Sequence, residues 1–222
     1  MVSGRSVRRP RAFLFDFGGV FTDSPFTAVE EFGRAIGADP RTVSEIVFGS
    51  YELDGEHPWH RLERGEIALD VSREMILALG RARGLEVDLW DLFARMASAD
   101  PSAGSSSRGE LVTLVRTLRG RGYRTGMITN NVREFGDTWR TLIPVNELFE
   151  FVVDSSHVGV RKPDRRIFEI ALAELDGMGA DDCVFLDDHP ANVEAARALG
   201  MHGVLVGPDP ARTVRDIEVL LG

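Results

Sequence analysis

The sequence predicts an α/β fold: a doubly wound parallel sheet covered by helices on both faces, with an all-helical insert placed just after its first strand. Three observations carry the prediction. Short apolar runs, AFLFDF, YRTGMIT, FEFVVD and CVFLDD, recur along the chain. Stretches with helical periodicity separate them, and strands alternating with helices of this length imply right-handed crossovers and parallel pairing. One block, from about Pro25 to Ala99, breaks the alternation, being helical throughout with no convincing strand.

Residues 12–17, AFLFDF, read as a buried strand stopped by Gly18-Gly19, which puts Asp16 at a carboxyl end. In the block that follows, Ile67, Val71, Met75 and Leu79 recur every four residues, and Trp90, Phe93 and Met96 continue the helical period. SADPSAGSSSRGE, residues 98–110, is rich in Ser, Gly and Pro and reads as a linker returning from the block. Leu111, Leu114, Val115 and Leu118 then mark a helix, YRTGMIT a strand, the stretch through Trp139 a helix, and FEFVVD a strand. A helix from Pro163 to Leu175, the strand CVFLDD, a helix from Pro190 to Leu199, the strand GVLV and a helix from Pro210 to Leu221 complete the chain. No internal repeat is present. The expected division is a Rossmann-like core from 1–23 with 105–222, and a helical cap over 24–104.

At 222 residues and 43% hydrophobic, the chain supports one sizeable core and a smaller attached one. A net charge of −9 gives no footprint for nucleic acid or an anionic membrane. Arg5, Arg8, Arg9 and Arg11 form a short basic stretch expected to be a frayed terminus, without the apolar region or cleavage site of a secretory leader. No apolar run approaches the ~20 residues needed to span a bilayer. The single cysteine, Cys183, excludes an internal disulfide, suits a reducing, cytoplasmic setting, and reads as a buried structural thiol.

Lys162 is the only lysine in a chain that otherwise takes its cations from 25 arginines. An ammonium is a compact charge that can sit among several oxygens, where a planar guanidinium cannot replace it. Lys162 also falls in telling company. In doubly wound sheets, ligands bind outside the carboxyl ends of the strands. Asp16, Thr129-Asn130 and Asp187-Asp188 all lie at such ends, and Lys162 follows eight residues after Asp154. Carboxylates gathered at one rim raise one another's pKa unless a cation sits among them. A divalent metal and one ammonium balance them. The oxygen-only set favours Mg2+ over zinc, with a carbonyl of the Gly18-Gly19 turn as a further donor. The Thr129 hydroxyl, the Asn130 amide and the N–H groups opening the next helix suit phosphate oxygens.

FDFGGVFTD, MITNN, VGVRKPD and VFLDDHPANVEAARALGM resemble, in order, the four motifs of the haloacid dehalogenase-like hydrolase superfamily, and the resemblance spans the chain. It extends to the subgroup with a helical cap after the first strand, which includes the amino-terminal phosphatase domain of soluble epoxide hydrolase and the amino-terminal part of acyl-CoA dehydrogenase family member ten. WHRLERGEI, residues 59–67, resembles that cap. The resemblance implies a Mg2+-dependent phosphatase in which Asp16 is the nucleophile and forms an aspartyl-phosphate. It implies Asp16, the Gly18 carbonyl and Asp188 as metal ligands, and Asp187 acting through water or by orienting Lys162. Thr129 and Asn130, beside the Gly18-Gly19 turn, would hold the phosphoryl group, and Lys162 would offset charge on nucleophile and phosphate.

The chain departs from the family in one place. Phosphatases of the superfamily usually carry a second aspartate two residues after the nucleophile as general acid and base, and this chain has Gly18 there. Such catalysis is typically worth about 10²- to 10⁴-fold, so slow or selective hydrolysis that favours acidic leaving groups is expected. The alternative is a degenerate member that binds metal or phosphate as a regulatory or assembly module. A dehalogenase attacks carbon and has no use for a metal site, so Asp188 counts against it. The expected partner is a small phosphorylated substrate, with no nucleic acid or membrane, for a monomer or homodimer.

The remaining polar residues read more plainly. Asn131 is turn chemistry. His57 and His60, with Glu56 and Glu63 nearby, fit no strong zinc spacing and read as packing within the cap. His189 is either a helix cap or a substrate contact, and Asp23 either a hinge residue or a replacement acid. Phe26, Phe48, Trp59 and Trp90 read as cap core, and any that face the cleft would suit a substrate with an apolar part.

Overall fold

The structure, a computed structural model, describes residues 9–98 and 105–221. Five parallel strands form one sheet: β1 (Ala12–Phe15), β2 (Arg124–Thr129), β3 (Phe151–Asp154), β4 (Cys183–Asp187) and β5 (His202–Leu205), in the spatial order β3-β2-β1-β4-β5. Every residue of β1 and β4 is buried. Helices cover both faces of the sheet, so these strands are continuous apolar runs rather than alternating ones.

On one face, Phe13, Phe15, Met127, Val184 and Leu186 pack with Leu111, Leu114, Leu118 and Ile217, from α6 (Ser105–Gly120) and α11 (Pro210–Leu221). On the other, Leu14, Ile128 and Phe185 meet Ile167, Phe168, Ala171 and Ala196, from α9 (Arg165–Ala173) and α10 (Pro190–Leu199). The strand order reverses between β1 and β4. This reversal marks the place, beyond their carboxyl ends, where open α/β sheets take ligands.

Between β1 and α6 lies the helical insert: α1 (Pro25–Ala35), α2 (Pro40–Phe48), α3 (Pro58–Glu63), α4 (Leu69–Arg81) and α5 (Leu89–Ser98). It has its own apolar cluster, which includes Val29, Phe32, Val43, Ile46, Trp59, Leu62, Ile76 and Leu89. The first three helices begin with proline, where a missing N–H costs nothing. Asp39 and His57 cap two of them by accepting from the N–H groups of Thr42 and Trp59. Two short helices, α7 (Val145–Leu148) and α8 (Ser155–Val158), complete the set. None of the described helices is long and apolar enough to cross a membrane.

Several local expectations are corrected. Helix α4 forms, but Val71, Met75 and Leu79, which gave its period, are 49%, 36% and 40% exposed. The helix instead buries Leu69, Ser72, Ile76, Leu77 and Gly80. Gly80 allows this seating, since a Cβ there would lie 2.9 Å from the Leu85 carbonyl oxygen. Trp90, assigned to the insert's core, is exposed, as is Met96. The stretch through Trp139 holds two 3-10 turns, Arg133–Phe135 and Thr138–Thr141, because Gly136 at φ 55° interrupts any longer helix. The expected linker at 98–110 is already α6 from Ser105 onward, and its residues 99–104 lie outside the described residues. Arg5 and Arg8 also lie outside them. Cys183 is buried as expected, and burial pushes its thiol up to about 12.

Candidate active site

Strand register assembles the rim. Phe15 pairs with Leu186 across β1 and β4, so Asp16 and Asp187 emerge side by side, and the Asp16 N–H donates to the Leu186 carbonyl at 2.8 Å. Lys162 reaches in from the loop between α8 and α9. Its Nζ lies 2.6 Å from Asp16 Oδ1 and 2.7 Å from Asp187 Oδ2, and the residue is 1% exposed. Burial works against the ammonium, but Asp16 and Asp187 outweigh it and raise the lysine pKa.

The three carboxylates occupy different surroundings. Asp187 also accepts from the His189 N–H at 2.8 Å and from the Asn192 amide at 3.0 and 3.1 Å. These bonds leave Asp187 as an anchor for Lys162. Asp188 accepts from the Ser24 hydroxyl at 2.7 Å. Its carboxyl is pushed up to about 6, chiefly by burial, with Asp187 adding to the effect. Asp16 is raised well above the usual carboxylate range, again by burial first, with Lys162 opposing and the two other aspartates reinforcing.

One oxygen from each of Asp16, Asp187 and Asp188 lies within 4.8 Å of the others, the only such group of potential metal ligands among the described residues. Three carboxylates facing one ammonium leave an excess of negative charge that a hard divalent cation would relieve. The glycine turn fits such a site closely. Gly19 has φ 71°, and a Cβ there would sit 1.9 Å from Asp188 Oδ2, so only glycine lets the turn approach this carboxylate. At Gly18 a Cβ would meet only Pro25, at 3.7 Å.

Thr129, 3% exposed, ends β2 at the same rim. Asn130 is brought there too, but its amide is already engaged. Its Oδ1 accepts from the Lys162 N–H at 2.8 Å, while Nδ2 donates to the Lys162 carbonyl at 3.1 Å and to the Tyr51 hydroxyl at 3.2 Å. No helix opens at this point, and the Asn131 N–H donates to Ser155 Oγ at 3.0 Å. The expected row of helix N–H donors is therefore replaced by a loop that fixes Lys162.

Of the remaining residues, His57 and His60 belong to the insert, while His189 directly follows the acidic pair. His57 caps α3, and its ring centroid lies 5.6 Å from that of His60. Burial pushes these imidazoles down to about 4 and about 3, so both are neutral. Asp23 is exposed in the loop before α1. His189 forms no side-chain cap on α10 and instead packs its ring against Phe26 and Tyr51.

Sequence reasoning missed Tyr51 and Arg161 altogether and weighed Glu63 only as a companion of His57 and His60 in a disfavoured metal site. The Tyr51 hydroxyl donates to Glu63 Oε1 at 2.6 Å, and Arg161 Nε donates to Glu63 Oε2 at 2.6 Å. Arg161 is fully buried, with its guanidinium carbon 4.3 Å from the Tyr51 ring centroid. The one available signal was that Arg161 adjoins Lys162.

Comparison with known proteins bears on this geometry. The haloacid dehalogenase-like hydrolase family model matches residues 10–200. The chain is similar to acyl-CoA dehydrogenase family member 10 of Mus musculus, 28% identical over 220 residues, covering 97% of this chain and 19% of that protein. It is 25% identical over 225 residues to bifunctional epoxide hydrolase 2 of Rattus norvegicus, covering 96% and 39%. The chain thus spans well under half the length of these two relatives. A sesquiterpene phosphatase of Aspergillus oryzae is 27% identical over 220 residues, with 96% and 97% covered. Among solved structures, a HAD-like family hydrolase from Porphyromonas gingivalis aligns with a TM-score of 0.64 at 24% identity, covering 95% and 98%. The magnesium complex of a HAD family enzyme from Bacteroides thetaiotaomicron gives 0.60 at 20%, covering 94% and 100%.

Proposed function

Since this chain belongs to the haloacid dehalogenase-like hydrolases, we propose that it is a Mg2+-dependent phosphatase that cleaves a small phosphorylated metabolite through an aspartyl-phosphate on Asp16. The observation that carries the reading is Lys162 Nζ lodged between Asp16 and Asp187, with an Asp188 oxygen in the same cluster. The phosphatase relative of nearly equal length and the magnesium complex of the structural neighbour support it.

Asp16, the Gly18 carbonyl and Asp188 would hold the ion, which when bound supplies charge neutralisation at the phosphoryl oxygens. The chain's own residues do the rest. Lys162 offsets charge shared by Asp16 and the phosphate, and Asp187 fixes the direction of the ammonium. Asn130 clamps the Lys162 backbone from both sides, while Thr129 lies against the phosphoryl group. An Asp16 oxygen bonds to phosphorus as the ester P–O bond breaks, and water then attacks phosphorus to regenerate the carboxylate. With Gly18 where the acid usually stands, the leaving group departs as its anion or takes a proton from water, so acidic leaving groups react best. The insert, residues 24–104, acts as the cap that excludes water and selects substrate. The buried Cys183 thiol suits a cytoplasmic setting.

A screen of phosphate release from sugar, lipid, nucleotide and acyl phosphates, with and without Mg2+, tests this reading. Turnover should need Mg2+ and vanish in Asp16→Asn. Activity that survives Asp16→Asn removes the assigned nucleophile. Gly18 favours the second reading, a degenerate module, and a folded protein that binds Mg2+ but turns over no ester would establish it.

A further inference from the structure

Glu63 of the insert heads two hydrogen-bond chains that end on the loops of the acidic rim. The first runs through side chains. The Glu63 carboxylate accepts from the Tyr51 hydroxyl and from Arg161 Nε, both at 2.6 Å. Burial and the nearby Glu63 carboxylate raise the Tyr51 pKa, so the hydroxyl keeps the proton it gives to Glu63. Its oxygen is then free only to accept, and it takes a proton of Asn130 Nδ2 at 3.2 Å. This fixes which way round the Asn130 amide lies, with Nδ2 toward the Lys162 carbonyl and Oδ1 toward the Lys162 N–H. The second chain starts from the backbone. The Glu63 carbonyl accepts from Ser155 Oγ at 2.6 Å, and Ser155 Oγ accepts from the Asn131 N–H at 3.0 Å.

Arg161 gives the insert a third hold. It directly precedes Lys162, is fully buried, and has carboxylate partners only from the insert: Glu63 at 2.6 Å and Asp54 at 3.5 Å. Its guanidinium lies flat enough over the Tyr51 ring to bring its carbon within 4.3 Å of the centroid. A buried charge that loses such a partner is left uncompensated, so the arginine has one seat and the backbone of its neighbour follows it. Lysine is a flexible stem with a point charge at its tip, and it marks a defined position only when its root is fixed. Here the root is held by Asn130 and Arg161, and the tip by Asp16 and Asp187. Support of this kind, outside the reacting groups, is what keeps them in a productive geometry.

We infer that Glu63, Tyr51 and Arg161 are positioning residues for Lys162: through them the insert fixes where the ammonium stands between Asp16 and Asp187, and so sets the rate of phosphoryl transfer. The effect on rate rests on the phosphatase reading above. The effect on Lys162 rests on the hydrogen bonds alone.

The composition of the chain supplies the test. Because Lys162 is the only lysine, full-length protein made with 15N-lysine gives one backbone amide signal and one ammonium signal, both from the site. In Glu63→Gln and in Tyr51→Phe these signals should move or broaden. Tyr51→Phe removes a single oxygen and carries the test if Glu63→Gln melts early. With Mg2+ and p-nitrophenyl phosphate, kcat should fall about 10- to 100-fold in each variant while KM stays within about threefold of wild type, the split expected when reacting geometry is lost and binding is kept. The double variant should fall no further than the worse single one, since both break one chain. Ile76→Val, in the insert's core, reports destabilisation of the insert alone and should leave kcat and the lysine signals unchanged. Lysine signals that stay put in both variants overturn the inference, as does a loss of kcat that Ile76→Val matches or that multiplies fully in the double variant; wild-type turnover in those cases leaves the phosphatase reading standing. A wild type that releases no phosphate overturns the phosphatase reading and the claim on rate, while the lysine signals still decide the claim on position.

Discussion

Gly18→Asp would place a carboxylic acid two residues after Asp16, and the backbone is ready for it. Gly18 is not among the glycines with positive φ, and an added Cβ meets nothing nearer than Pro25 Cδ at 3.7 Å, an ordinary contact distance. Beside the negative rim, such a carboxyl would be held partly protonated, as a general acid must be. If the missing proton donor limits hydrolysis, restoring it is worth about 10²- to 10⁴-fold, or about 2.7–5.4 kcal/mol of barrier. The whole gain should fall on poor leaving groups, because a phenol of low pKa departs without help. The assay is kcat/KM for a series of alkyl and aryl phosphates plotted against leaving-group pKa. Wild type should give a steep negative slope, Gly18→Asp a shallow one, and Gly18→Asn, which cannot act as an acid, the steep slope again. Parallel lines for wild type and Gly18→Asp would refute the reasoning, since they would mean that a donor already acts or that chemistry does not limit the rate.

Other outcomes follow from the same geometry. Lys162→Met leaves two buried carboxylates without their ammonium and should cost about 3–5 kcal/mol, a fall of about 6–20 °C in Tm for a chain of this size. Lys162→Arg must fit a broad fork where Nζ sits 2.6 and 2.7 Å from two oxygens, and should cost about 1–3 kcal/mol by urea melts; wild-type turnover in that variant would contradict the point-charge argument. Gly19→Ala, whose Cβ would lie 1.9 Å from Asp188 Oδ2, should weaken Mg2+ binding by calorimetry at least about tenfold more than Gly18→Ala, since Asp188 must move. His57 and His60 are depressed to about 4 and about 3 in the fold, against about 6.5 when unfolded. The unfolded chain therefore takes up protons first as pH falls, and this part of the stability is complete above about pH 6.5 and lost toward pH 4 and below. Urea midpoints between pH 7.5 and 4.5 should show the loss, and it should shrink in His57→Gln with His60→Gln.

What was legible in the sequence depended on whether one segment carried its own signal. The strands β1 and β4 were plain because sheets covered on both faces demand unbroken apolar runs, and α10 was bounded by Pro190 and Gly200. The acidic rim was legible because strand ends in such a sheet converge, whatever the loops do. The buried face of α4 was hidden because Ser72 and Gly80 contribute nothing to a count of apolar residues, yet they let the helix seat closely. Tyr51, Glu63 and Arg161 were illegible for another reason. Glu63 and Arg161 are 98 residues apart, and an arginine in an arginine-rich chain looks like any surface cation until its partner is known. Local pattern reports burial of hydrocarbon, not the pairing of distant charges.

The join between insert and sheet combines apolar contacts, such as Phe93 against Phe135 and Val132 within the insert's cluster, with polar bonds. Ser155 Oγ donates to the Glu63 carbonyl at 2.6 Å, the Leu69 N–H donates to Glu134 at 2.8 Å, and the Tyr51–Asn130 and Arg161–Glu63 pairs cross the same seam. Parting the two halves would exchange these bonds for bonds to solvent and would also bare Val132 and the Phe93–Phe135 contact. Such a motion would carry a heat-capacity change set by that apolar patch, so its van 't Hoff plot should bend, though less than that of global melting.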